Sequence, residues 1–592
     1  MSLTKDVLEK HLKDPAVFCC RRQKGLVISG ADLEDPDLFE DMADAGLLAL
    51  SKEGLTIEQV LGRKLETDTE ALTPITAAML DGINAESPEA KPESGSGTKS
   101  ASGPEIKPEV KSGAAAGTGS GPASCRMIHV AIERLEGLKL DIPVGMETAI
   151  PQELTERTEK VLRTLKKKIF QVKDVIIADE TSFQNGILKI DGKILKKAIK
   201  ADPLVKDIKM DIIKPQQRHI YTDTIMDVCP IAAKAEGKLG EGVTNVLEGA
   251  VFMLTGVDED GTQIHEFGSS EGFLDEKMFF GHPGCADPDD IIIRVETVIQ
   301  SKTGMERRGP FAAHKCEDAV IQAVRDVLKK TAEKPKREEL CRDIRKYGRP
   351  RVVLVKEIMG QGAMHDNILC PAEPCGVPGG QKNVDLGNVP LMLSPNEVRD
   401  GGIHALTCIG PATKEMTRHY FREPLIEALA EDDELDLMGV IFIGSPQVND
   451  EKSFVSERLG AWIEALDAEG AIVTTEGFGN NHIDFISHIG QIGSRGIPVV
   501  GVSFCAYQGQ LVVGNEYADA MIETNKDING FENEVAGCSE ICPNDAARAV
   551  QMLKNKMMGV EIKPAARKWS QSIIDRNNEI LGLPREKIMD RI

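Results

Sequence analysis

Aromatic side chains are scarce. Phe, Trp and Tyr together make up 4% of the 592 residues, with two tryptophans and five tyrosines. That leaves little material for stacking the bases of single-stranded nucleic acid. Positive charge is also in deficit. There are 71 Lys and Arg against 94 Asp and Glu, a net charge of −23, whereas nucleic acid or an anionic membrane calls for clustered basic residues. No run of 18 apolar residues occurs, so no segment is long enough to cross a bilayer as a helix. The stretch from Met1 to Pro15 is charged throughout and lacks the apolar core of a secretory leader. The thirteen cysteines are odd in number and unevenly spaced, which excludes a fully paired disulfide framework. The expectation is a cytoplasmic protein with reduced thiols and with no nucleic acid or membrane insertion.

Apolar content, by contrast, is ample: 41% of the residues are hydrophobic. A chain of this length is expected to form about three to five domains. Residues 87–124 (SPEAKPESGSGTKSASGPEIKPEVKSGAAAGTGSGPAS) consist of Gly, Ser, Pro, Ala, Thr, Lys and Glu, with Ile106 and Val110 the only large apolar residues. Such a composition buries too little surface to offset the entropy of ordering, and reads as a flexible linker. It sets apart a small N-terminal domain, residues 1–86. Residues 125–331 mix β-rich runs such as Val175–Ile177 and Ile291–Ile293 with a helical pattern over Asp318–Lys330, and read as an α+β middle domain. The charged, proline-containing residues 332–349 read as a hinge. The basic run Lys166-Lys167-Lys168 reads as a solvated helix face, or as a docking point for an acidic partner.

Residues 350–592 have the clearest rhythm. Val352–Val355, Val440–Ile443, Ile472–Thr475 and Val499–Val502 are short β-branched runs. Between them, Ser453–Asp467 repeats apolar residues at spacings of three and four, and Gly470 offers a stop. This alternation predicts a parallel-sheet α/β domain, so the fold class is α/β and multi-domain. Ligands in such sheets bind beyond the carboxyl ends of the strands. That points to the loops at Gly444–Pro446, Glu476–His482 and Ser503–Tyr507.

The densest signal is SPNEVRDGGIHALTCIGP, Ser394 to Pro411. Ser394 and Glu397 form a capping box with Pro395 at the first helical position, and Gly401-Gly402 ends the short helix. Cys408 follows in a tightly bounded extended run, with Thr407 before it and His404 nearby. On pattern alone it is either a nucleophile or a buried structural thiol. Other signals stay open between two readings. Cys370/Cys375 and Cys538/Cys542 could be ligand pairs, but they lie far apart, so no metal site is assigned. Cys19-Cys20 is either a redox pair or a half-buried one. His219, Tyr221, Thr222 and Asp223 with Asp227 and Cys229 form either a binding cluster or a hydrogen-bonded turn. Gly360-Gln361-Gly362 is a weak phosphate-loop cue.

The run Gly401–Met416 (GGIHALTCIGPATKEM), continuing through His419-Tyr420-Phe421-Arg422-Glu423-Pro424, resembles the D-proline reductase proproteins. So do Lys13–Cys20, Leu33–Asp37, Leu61–Leu65 and Leu72–Pro74. His265–Gly272 is more loosely similar to the wider glycine/sarcosine/betaine reductase component B family. The resemblance implies self-cleavage between Thr407 and Cys408, with Cys408 becoming a covalently bound pyruvoyl group. His404 is then either the base for that step or a packing residue. The pyruvoyl group would form a Schiff base with D-proline. This sequence contains no selenocysteine, so a separate selenocysteine-containing subunit would supply the attacking selenolate, with a dithiol donor resetting it. The implied product is 5-aminovalerate and the implied setting is amino-acid fermentation. The two cleavage products would stay associated in a hetero-oligomer. Two alternatives stand beside this: a glycine, sarcosine or betaine reductase component, and an uncleaved scaffold for the selenoprotein.

Overall fold

The computed structural model describes residues 8, 10–13, 16–18, 21–33, 55–69, 75–81, 126–131, 139–144, 159–264, 270–304, 308–358, 388–405, 416–446, 448–475, 480–504, 514–530, 534–560, 562 and 570–586. The expected linker, Thr407, Cys408, Cys19, Cys20, Cys370, Cys375 and Gly360–Gly362 lie outside them. Near the N-terminus, Phe18, Ile28, Leu33, Ile57, Val60 and Leu65 close a small core of their own.

The middle segment is built on β1 (Glu159–Gln171), β2 (Val205–Ile213), β3 (Thr224–Glu236), β4 (Gly242–Asp258), β5 (Ile291–Ile299) and β6 (Arg337–Lys346). The order is β6-β1-β4-β5-β2, with β3 also paired to β4. β4 runs parallel to β1 in its first half and to β5 in its second, and antiparallel to β3. The change of partner falls at Gly249, whose φ is +90°. A Cβ there would lie 2.7 Å from the Val172 carbonyl oxygen, so only glycine fits this bend. Helix α1 (Arg308–Leu328) covers the sheet through Ala312, Cys316, Val320, Val324 and Leu328.

Two expectations are corrected here. Lys166-Lys167-Lys168 lies on strand β1, not on a helix. Alternation sends Lys167 inward, where its Nζ stacks 3.9 Å from the Phe421 ring centroid, while Lys166 pairs with Glu338 at 3.1 Å. Most of the charged segment read as a hinge is strand β6, paired antiparallel with β1 from Arg337 to Lys346. Arg337, Glu338 and Arg342 are exposed on this edge strand, whereas Asp343 and Lys346 are buried, and charge density alone does not distinguish such a strand from a linker.

The C-terminal sheet contains β7 (Arg351–Ile358), β8 (Leu391–Leu393), β9 (Asp436–Gly444), β10 (Gly470–Thr475), β11 (Val499–Ser503) and β12 (Met521–Glu523). The order is β8-β9-β7-β10-β11-β12, all parallel except β8. All four strands expected from the sequence are present. Around them stand α2 (Pro395–Arg399), α3 (Thr417–Phe421), α4 (Pro424–Glu431), α5 (Asn449–Leu466), α6 (Asn480–Gly493), α7 (Pro543–Met557) and α8 (Gln571–Ile580). Val352 and Leu354 pack toward α4 and α7, and Val353 and Val355 toward α5 and α6. Both faces are therefore buried, each such side chain contributing about 1.5–3 kcal/mol. The capping box at Ser394 forms as expected, Ser394 N–H donating to Glu397 at 2.7 Å. The stop at Gly470 does not: α5 ends at Asp467, in the left-handed region at φ 50°, and Gly470 opens β10. Among the described residues no helix is long and apolar enough to cross a membrane.

Candidate active site

Three elements bring ionisable groups into one buried cluster. On β3, Asp227 and Cys229 are two residues apart and so point the same way. On α1, His314, Glu317, Asp318 and Arg325 share one face of the helix, turned inward. The third contribution is His404, which follows the Gly401 turn (φ +89°). All seven are buried.

Asp227 is the hub. Its Oδ1 accepts from the Thr417 and Val228 amides at 2.9 and 2.7 Å, and its Oδ2 from the Thr417 hydroxyl at 2.6 Å. The Ala405 amide in turn donates to Thr417 Oγ1 at 2.9 Å. The chain therefore enters and leaves residues 406–415, which carry the Thr407–Cys408 bond, at two points tied to one carboxylate. Cys229 Sγ lies 3.3 Å from Asp227 Oδ2, 3.7 Å from Glu317 Oε2 and 3.8 Å from His404 Nε2. His404 Nε2 lies 3.7 Å from Asp227, its Nδ1 3.5 Å from Asp318, and His314 Nε2 3.5 Å from Asp227.

Burial pushes Asp227 upward, yet hydrogen bonding and charge from His314, with help from His404 and Thr417, outweigh it and hold the carboxyl below its usual range. The same ion pair overcomes burial to raise His314. For His404 burial wins, so its imidazole is kept neutral. Burial raises Cys229 well above the usual thiol range, reinforced by Asp227 and Glu317. Glu317 and Asp318 are raised by burial as well. Several atoms here have no hydrogen-bond partner among the described residues: Nδ1 of His404, Oε1 of Glu317, Oδ1 of Asp318 and an Arg325 terminal nitrogen.

Helix α3 carries the polar network onward. His419 sits between Glu423, 2.6 Å from its Nε2, and Glu540, which contacts its Nδ1. Lys356 Nζ donates to Glu423 at 2.7 Å. Burial alone would raise Glu423, but Lys356 and His419 bring it down to about 2. The next residue of β7, Glu357, faces the opposite side of the sheet. It accepts from the Thr475 hydroxyl at 3.2 Å and lies 3.8 Å from His488 Nε2. Beside it Asp484 is held by Lys452 and Ser445, and His482 Nε2 lies 3.0 Å from Ser503 Oγ. Ser445, His482 and Ser503 belong to the carboxyl-edge loops that the strand rhythm singles out; residues 476–479 and 505–507 of two of those loops lie outside the described residues.

Of the residues expected to act, His404 is thus in a polar cluster, while Thr407 and Cys408 lie outside the described residues. The patch from His219 to Cys229 divides. His219 and Tyr221 are exposed, paired with Asp275 and Glu271, whereas Asp227 and Cys229 turn inward. Cys538 and Cys542 are both buried. Cys542 stands near Asp545 and Glu586, where Lys526 and Arg548 already neutralise the carboxylates. Sequence reasoning missed His314, Glu317, Asp318 and Arg325. The available signal was one stripe of ionisable residues at spacings of three, four and seven along the helix.

A sequence profile of glycine/sarcosine/betaine reductase component B subunits matches residues 163–529. The chain is 46% identical to the D-proline reductase proprotein of Acetoanaerobium sticklandii, covering all of this chain and 98% of that one. It is 24% identical to the glycine reductase complex component B subunits alpha and beta of the same organism, over 61% of this chain and 83% of that protein. Against the sarcosine reductase complex component B subunit alpha of Peptoclostridium acidaminophilum it is 24% identical, over 56% of this chain and 77% of that one. No solved structure matches. The chain belongs to the glycine/sarcosine/betaine reductase component B family, within which it is similar over its whole length to a D-proline reductase proprotein.

Proposed function

We propose that this chain is the self-cleaving precursor of a D-proline reductase component that works from a pyruvoyl group at position 408. The observation that carries the reading is the 46% identity over the full chain to a D-proline reductase proprotein. Maturation begins with the Cys408 thiolate attacking the Thr407 carbonyl, which moves the acyl group from nitrogen to sulfur. Loss of the Cα proton of residue 408 then expels the upstream chain as a thiocarboxylate. The dehydroalanine left at 408 tautomerises and hydrolyses to a ketone, releasing ammonia. Only a residue with a leaving group on Cβ permits this, so Cys suits position 408 and Ala does not.

The local residues fit such a group. The segment carrying Thr407 and Cys408 is tied at Ala405 and Thr417 to Asp227, beside an imidazole and carboxyls that still have uncommitted atoms. His404 and His314 are the proton-handling candidates of the cluster. When present, a pyruvoyl carbonyl supplies an electron sink for an amine substrate. The chain's own residues orient that amine, and the carboxyls of Glu317 and Asp318, both raised by burial, move its protons. Ring opening of D-proline to 5-aminovalerate also needs a strong nucleophile, assigned here to a separate selenocysteine-containing subunit reset by a dithiol. Denaturing electrophoresis with mass spectrometry of the smaller fragment's N-terminus tests the maturation step, and Cys408→Ala is expected to leave the chain whole. Cleavage that persists in Cys408→Ala places the cut elsewhere. A whole wild-type chain with an intact Cys408 makes the protein a scaffold instead.

A further inference from the structure

Asp227, Cys229 and His404 come from strand β3 and from the segment after α2, 175 residues apart between Cys229 and His404, and their ligating atoms converge. Asp227 Oδ2 to Cys229 Sγ is 3.3 Å, Cys229 Sγ to His404 Nε2 is 3.8 Å, and His404 Nε2 to Asp227 Oδ2 is 3.7 Å. A tetrahedral cation with bonds of about 2.0–2.3 Å holds its ligands about 3.3–3.8 Å apart. We propose that these three side chains form a binding site for a divalent zinc-type cation.

Three further observations support it. Glu317 Oε2, 3.7 Å from Cys229 Sγ, places a further carboxyl at the edge of the site. The cluster gathers three buried carboxyls, Asp227, Glu317 and Asp318, around Arg325 and His314, so carboxylate oxygens stand beside the thiol and the imidazole. The outer groups needed to fix ligand orientation are also in place. Thr417 donates to Asp227, and Asp318 lies 3.5 Å from His404 Nδ1, the nitrogen that bears the proton when Nε2 binds a metal. Thiol, imidazole and carboxylate together select a zinc-type ion over magnesium or calcium, and the thiol argues against an ammonium pocket. On binding, the Cys229 S–H proton, which points at Asp227 Oδ2, is released to solvent and the cation takes its place, with no change of oxidation state.

The site uses the His404 lone pair that a general base would need, so it assigns His404 a ligand role and leaves His314 as the proton-handling imidazole. It does not depend on cleavage, and the test is therefore made on the uncleaved Cys408→Ala chain. After equilibration with zinc and removal of excess, elemental analysis is expected to give one zinc per chain, falling at least about tenfold with Cys229→Ser added. Equilibration with cobalt(II) instead is expected to produce a thiolate-to-cobalt absorption band that Cys229→Ser abolishes. If the serine variant fails to fold, the cobalt spectrum of the parent chain decides alone. A parent chain without bound zinc and without that band overturns the proposal, as does metal content unchanged by Cys229→Ser in a folded variant. Neither result bears on whether the wild-type chain is cut at Thr407–Cys408.

Discussion

Neither Lys356 nor Glu423 reaches solvent, and the Nζ–Oε2 distance between them is 2.7 Å. Removing one partner of such a pair leaves the other charge buried and uncompensated, at a cost of about 3–5 kcal/mol. Lys356→Met is therefore expected to lower unfolding stability by about that amount, measured by chemical denaturation, and adding Glu423→Gln is expected to restore part of the loss. A single variant as stable as wild type contradicts the pairing. The same pairing, with His419, holds Glu423 at about 2. That depressed value makes its contribution fully present above the ordinary carboxyl range, near 4.5, and lost as pH falls through about 2. A resemblance could point to His419 and Glu423 because they lie in one continuous run with Cys408. Their partners Lys356 and Glu540 lie far off in sequence, and no local pattern announces them.

The two faces of the C-terminal sheet differ in their electrostatics. Behind β7 and β10, on the α5 and α6 side, burial lowers His482 to about 4 and His488 to about 3, the latter helped by the charge of Lys452. Both rings stay neutral in the folded protein where an unfolded chain would take up protons. Folded values below the unfolded 6.5 mean that this stability is present above about pH 6.5 and is lost as pH falls toward 4 and 3. His488→Gln is expected to flatten the fall of stability between pH 6 and 4 by about 1.4 kcal/mol per pH unit, one proton's worth, relative to wild type. Denaturation midpoints taken across that range check it, and parallel curves contradict it. At this scale the sequence was readable where an element carries a period. The four β-branched runs, the capping box at Ser394 and the helix read over Ser453–Asp467 all appear, the last beginning four residues earlier, at Asn449. It failed where charge hid the period, as in β6 and the lysines of β1, whose alternation shows only once their pairing is known. Helix α1 was legible as a helix. Its buried acidic face was not, since nothing local shows that Asp227 and His404 stand opposite.

Across the whole molecule, the consequence of a cut after Thr407 follows from strand order. β7 and β8 belong to the upstream product and β9 to β12 to the downstream one, yet β7 lies between β9 and β10, hydrogen-bonded to both. Asp227 in the upstream product also holds Thr417 in the downstream one. Separating the products therefore breaks a sheet from its centre. They are expected to co-elute in native size-exclusion chromatography and to part only in denaturant. Two separate native peaks contradict this. The central claim is the cut itself, and mass spectrometry of the purified protein under denaturing conditions tests it most directly. The account predicts two chains, Met1–Thr407 and a smaller one starting at position 408 with a blocked, pyruvoyl-bearing end, alongside a single chain for Cys408→Ala. One uncut wild-type chain with an unmodified Cys408, or a cut at any other bond, contradicts it.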